Sequence, residues 1–192
     1  MNNYYIFIDD SGNINLTSKE RYFVYGALIF NDFNKVVEFE TKWKNNLQSK
    51  FGKIAEKKAS EKINRGARNS FYDIIINFSY SKAYIVANKK NYYKLKEIEY
   101  NYNYMLENIQ DSNKDKIKRL IKKDRKKMYE IQKTYLISSL VSEIIKKLKI
   151  KNKSNVKIII DIDNFNFTFD KWNNYFNNMH PYLKFKKINY EL

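Results

Sequence analysis

The chain has 192 residues, enough for one domain with a real core, and 43% of them are hydrophobic, which argues against a disordered polypeptide. It contains no cysteine, so disulfides and thiolate metal sites are excluded. Thirty-seven basic residues against 21 acidic ones give a formal charge of +16, which favours a polyanionic partner, although an AT-rich genome enriches Lys, Asn, Ile and Tyr in any protein.

The opening MNNYYIFIDD lacks the basic flank and long apolar run of a signal peptide. The longest apolar stretch, residues 23–30, is far short of the roughly 20 residues needed to span a bilayer. A soluble, cytoplasmic protein without a membrane partner is therefore expected. Residues 4–8 alternate and run into Asp-Asp-Ser-Gly, which predicts a strand ending in a turn. Residues 21–30 form a second β-branched and aromatic run, and the two predict an antiparallel hairpin.

From residue 32 to 51 the period lengthens, with Phe33, Val36, Val37, Phe39, Trp43 and Leu47 at helical spacing and Gly52 placed to close the helix. A second helix is expected over 60–78 and a strand over 79–88. Residues 89–150 are helical in pattern and include a low-complexity basic stretch at 114–127. After it, residues 128–148 carry a broad apolar stripe that should pack on a sheet. Residues 156–162 are the most hydrophobic strand and are expected to be central. A short helix at 168–178 and a last strand at 182–190 complete the order. The expectation is a single α/β domain over 1–192, a mixed sheet flanked by helices, with a basic helical insertion at about 91–127.

Asp9 ends the first strand, and strand ends of open α/β sheets border the ligand crevice. Asp161 and Asp163 lie two apart, on one face of a strand, and Asp161 follows Ile158, Ile159 and Ile160. A carboxylate in so apolar a setting is costly unless it is paired or holds a cation. Mg²⁺ and Mn²⁺ take hard oxygen ligands, with waters and substrate phosphates completing the shell. Turn and capping roles remain open for Asp9 and Asp163.

The segment Tyr5-Ile-Phe-Ile-Asp-Asp-Ser-Gly12, followed by Tyr22-Phe-Val-Tyr-Gly-Ala-Leu-Ile29, resembles the opening hairpin of the domain-of-unknown-function 3800 family. Two further features are similar: Glu56, Lys58, Ala59 and Ser60 match a Glu-x-Lys followed by small residues, and Ile158-Ile-Ile-Asp161 matches a hydrophobic strand ending in Asp. The resemblance implies an RNase H-like fold and a metal-dependent nuclease, of a kind associated with mobile elements or phage defence. By that resemblance Asp9, Glu56 and Asp161 are metal ligands for Mg²⁺ or Mn²⁺, Asp10 and Asp163 are lesser candidates, and Lys58 neutralises phosphate charge. Asp10 stands where the family has Glu. The family also carries an Ala-Asp pair on a helix after the last strand, where this sequence reads Glu191-Leu192; the resemblance then implies a truncated or split member, a substitute such as Asp163 or Glu191, or lost catalysis.

Nine basic residues fall between 114 and 127, among them Lys118, Arg119, Lys122, Lys123, Arg125 and Lys126. They form either a solvated helix face or an arm that tracks phosphates without reading bases. Arg65 and Arg68 would extend such a surface towards Glu56. Tyr92, Tyr93, Tyr100, Tyr102 and Tyr104 either pack or stack on unpaired bases. The first expectation is a metal-dependent nuclease acting on RNA or DNA. The second is a catalytically incomplete protein that keeps the nuclease-like fold and binds nucleic acid or a protein. The third gives the helical insertion an oligomerisation or protein-partner role.

Overall fold

In the computed structural model, residues 2–14, 19–52, 64–91, 93–109, 111–151 and 154–160 are described. The alternation at the start is one strand between two environments: β1 (Asn3–Ser11) buries Ile6 and Ile8 on one face, while Tyr5, Phe7, Asp9 and Ser11 belong to the other. Its partner β2 (Tyr22–Phe30) returns antiparallel, with Tyr5 opposite Phe30 and Asp9 opposite Gly26. On the far side of β2, β3 (Ser81–Asn88) is again antiparallel, and β4 (Asn155–Ile160) runs parallel to β1.

The described sheet therefore has the order β3-β2-β1-β4, a mixed sheet flanked by helices as the pattern of elements predicts. The strand expected to be central, β4, is the end strand of the described sheet. The segments expected as a helix at 168–178 and a strand at 182–190 lie outside the described residues.

Gly12 fixes the exit from β1. Its φ is 88°, and a Cβ there would sit 2.8 Å from the backbone carbonyl oxygen of Tyr22. Gly12→Ala should therefore cost about 1–3 kcal/mol, the usual range for a strained backbone position. A lowered urea midpoint at unchanged m would show it, whereas an unmoved midpoint would mean that the turn relaxes without penalty.

Helix α1 (Phe33–Phe51) starts where Asp32 accepts from the Asn34 N–H at 3.0 Å and stops at Gly52, whose φ of 67° takes the left-handed conformation. The next helix, expected from residue 60, is described as α2 (Arg65–Asn77), capped by Asn64, whose Oδ1 accepts from the Ala67 N–H at 2.7 Å. It packs back on α1 through Trp43 and Phe71, with ring centroids 4.7 Å apart. Phe30, Phe39, Phe78 and Tyr80 form an aromatic cluster that joins this helix pair to one end of the sheet.

The basic stretch and the apolar stripe, which read as separate segments in sequence, form one continuous helix. After α3 (Tyr93–Glu107), α4 (Asp111–Lys147) runs for 37 residues, about 55 Å at ~1.5 Å per residue. No glycine or proline interrupts it. Its second half buries Leu136, Ile137, Leu140, Val141, Ile144 and Ile145 against the sheet face that carries Ile6, Ile8, Phe23, Tyr25, Ala27 and Ile29. Lys149, at φ 49°, ends the helix, and the Ile150 N–H then bonds the Ile145 carbonyl at 3.1 Å.

Lys133 meets Asp10 near the carboxyl end of β1, while Leu148 lines a cavity together with Tyr4 at the opposite end of that strand. The helix is therefore antiparallel to β1, and its residues before Lys133 travel beyond the strand's carboxyl end. There α3 lies beside it. Glu99, only 8% exposed, accepts from the Arg125 Nε at 2.9 Å and from the Tyr129 hydroxyl at 3.3 Å. No helix among the described residues is long and apolar enough to cross a membrane.

Candidate functional site

Asp9 and Asp10 are neighbours in sequence and leave β1 on opposite faces, because successive strand side chains alternate. Asp10 is on the α4 side, opposite Tyr25. Its Oδ2 is 2.7 Å from the Lys133 Nζ, in a partly buried pair whose side chains are 25% and 18% exposed respectively. The same ammonium lies 5.3 Å from the centre of the Phe23 ring. Burial, and after it the negative charges of Asp10 and Asp9, push the Tyr25 phenol well above its ordinary value of 10.0. Tyr25 thus remains a neutral core residue, and Asp10 is a carboxylate whose charge is balanced within the fold.

Asp9 occupies the other face, at the exposed rim. Its Oδ1 accepts the Asp10 backbone N–H at 2.7 Å, which orients the carboxylate along the strand end. The register sets Asp9 beside Gly26, and Gly26 beside Tyr84. Among the described residues, no heavy atom lies within 4 Å of the position a Cβ would take at Gly26, beside the carboxylate. One rung on, Ser11 is opposite Val24 and Val24 is opposite Val86.

The aromatic cluster around Phe30 covers the far half of this face, whereas Tyr84 is 74% exposed and Val86 48% exposed. Tyr22, on the same face, is 45% exposed and carries the Arg21 guanidinium 5.1 Å from its ring centre. The result is an accessible patch that combines one oriented carboxylate, a bare backbone and two aromatic rings.

The parallel register between β1 and β4 runs through Phe7↔Ile159 and Ile8↔Ile160. Asp9 and Asp161 are the residues that follow this last pair in their respective segments. Asp161 itself, with Asp163, Glu56 and Lys58, lies outside the described residues. Among the described residues no three Asp, Glu or His side chains converge as a metal-holding group. What Asp9 offers is hard oxygen on an open rim, the donor type that suits Mg²⁺ or Mn²⁺, in a chain without thiolates to attract softer metals.

The basic candidates divide into three groups. Arg125 is held inside the α3–α4 hairpin by Glu99 and lies 5.7 Å from the Tyr102 ring centre, so it fastens the hairpin together. Lys118, Arg119, Lys122, Lys123 and Lys126 are exposed on α4, with Lys118 3.8 Å from Asp115. Arg65 and Arg68 are exposed at the start of α2, a helix that packs on α1. Tyr100 and Tyr104, open to either packing or stacking by sequence, are 70% and 59% exposed.

No protein-family model matches the chain, and no curated protein matches it either.

Sequence reasoning gave Gly26 and Tyr22 no role beyond the second-strand motif and did not single out Lys133. The first two were detectable in principle, since pairing the hairpin with Asp9 opposite Gly26 puts every even-numbered residue of β2 on the Asp9 face. Lys133 carried no signal, being one lysine among many until α4 brings it to Asp10.

Proposed function

We propose that the chain is an RNase H-like, metal-dependent nuclease that hydrolyses phosphodiester bonds of RNA or DNA, with its site on the Asp9 face of the β1–β4 rim. The observation that carries this reading is the parallel β1–β4 register, which ends one step before Asp9 on one strand and one step before Asp161 on the other. Adjacent strands in a sheet run about 5 Å apart, a spacing at which carboxylates on neighbouring strands can share a cation. The opening hairpin with its Asp-Asp-Ser-Gly exit supports the same reading through the family it resembles.

In this scheme Asp9, Asp161 and Glu56 hold Mg²⁺ or Mn²⁺, with Asp163 as a further ligand. A bound dication supplies an acidified water and polarises the phosphoryl oxygens. The chain's own residues do the rest. The Asp10 N–H fixes the rotamer of Asp9. Gly26 leaves room for the phosphate to approach the sheet, and the exposed Tyr84 and Tyr22 rings border that approach. Lys58 would neutralise charge on the phosphate in the transition state. Asp10, already paired with Lys133, serves as a positioning residue that anchors the strand end to α4.

The test is incubation of purified protein with end-labelled DNA and RNA oligonucleotides in Mg²⁺, in Mn²⁺ and in excess EDTA. Cleavage that requires the dication and stops on chelation is the expected result. Binding without cleavage under every condition would instead support the second reading, a nucleic-acid-binding protein with a nuclease-like fold.

A further inference from the structure

The sheet-facing side of α4 can be followed residue by residue past the end of the sheet. In the packed half it consists of Ile137, Leu140 and Ile144, all buried, and it continues through Lys133 at Asp10. Steps of seven, four and three residues back from Lys133 give Lys126, Lys122 and Arg119, so these three side chains leave the helix on the same side. All three are exposed. Because α4 is antiparallel to β1, they hang beyond the rim where Asp9 sits. The stripe that is apolar over the sheet becomes cationic where the sheet stops.

We propose that Arg119, Lys122 and Lys126 form a phosphate-tracking stripe that guides a nucleic-acid duplex, by its backbone alone, towards the Asp9 rim. This rests on the nuclease reading above and adds to it the form of the substrate. The stripe itself offers cations and no aromatic ring, and single-strand sites characteristically add rings for base stacking. A ridge of phosphates at fixed spacing suits such a row of point charges, and it carries no sequence information. From Lys133 to Arg119 the helix advances about 21 Å at ~1.5 Å per residue. That corresponds to about six base pairs of duplex at ~3.4 Å each, so a duplex end must reach at least that far past the cleavage point. Arg125 is excluded from the stripe by its pairing with Glu99. Lys116 and Lys127 are exposed about a third of the way round the helix and provide a control of equal charge.

The experiment is fluorescence anisotropy in EDTA, with labelled 24-base-pair duplexes of DNA and of RNA and with the corresponding single strands, over a range of salt. Lys122→Gln/Lys126→Gln should weaken duplex binding roughly tenfold and lower the slope of log affinity against log salt by about 2, at ~0.9 for each phosphate no longer neutralised. Lys116→Gln/Lys127→Gln removes the same charge and should change affinity less than about threefold. Equal losses from the two pairs would overturn the proposal in favour of a diffuse charge effect, and so would a preference of the wild-type chain for single strands. Because binding is read without a dication, face-dependent duplex binding by a protein that cleaves nothing would leave this inference standing while the nuclease reading failed. Unchanged melting temperatures for both variants would show that they are folded.

Discussion

Asp9→Asn is expected to abolish dication-dependent cleavage, by ~10³-fold or more, while leaving the fold intact. A drop of that size corresponds to about 4 kcal/mol at ~1.4 kcal/mol per tenfold, the scale of charge stabilisation that a bound metal contributes. The substitution is well suited to the question because Asn keeps an oxygen that can accept the Asp10 N–H while removing the negative charge. Asp9 is exposed, so its melting temperature should move by no more than ~2 °C. Asp10→Asn provides the contrast, since it breaks the partly buried ion pair with Lys133 on the other face and should register first as lost stability. Cleavage by folded Asp9→Asn at the wild-type rate would remove the nuclease reading from this face.

The second large effect concerns two leucines of one helix. Leu140 is 2% exposed against the sheet, and Leu120 is 51% exposed on the arm. Leu140→Ala should cost about 2–5 kcal/mol through reduced burial and the cavity left behind, which lowers the melting temperature by ~5–15 °C in a chain of this size. Leu120→Ala should stay within ~0.5 kcal/mol. Thermal or urea unfolding followed by circular dichroism measures both. Similar costs at the two positions would mean that the arm is packed in solution as firmly as the core.

That contrast shows how far local pattern reaches. The hairpin, α1 with its closing Gly52 and the strand at β3 were legible because the information is local: alternation at period two, helical spacing ending at Gly52, and turn residues after Asp9. The helical character of 89–150 was legible for the same reason, and so was the acidic exit of β1 as a place to look for chemistry. The mixed sheet with flanking helices follows from the order of those elements.

Other features had no local signature. That the basic stretch to residue 127 and the apolar stripe from 128 form one helix had no local mark beyond the lack of a breaker between them, and the point near Lys133 where α4 leaves the sheet is set by the length of the strands beneath it. Arg125 is indistinguishable by sequence from Lys126, yet one closes on the buried Glu99 and the other faces solvent. Asp9 and Asp10 read as a pair, and the strand's alternation sends one to Lys133 and the other to the open rim. Among the described residues, the sequence by itself determined most of the helices, strands and turns, because those preferences are settled within a few residues. Only the tertiary structure decided which charges are paired, which face is open and what lies across from Asp9, because each depends on partners tens to more than a hundred residues away.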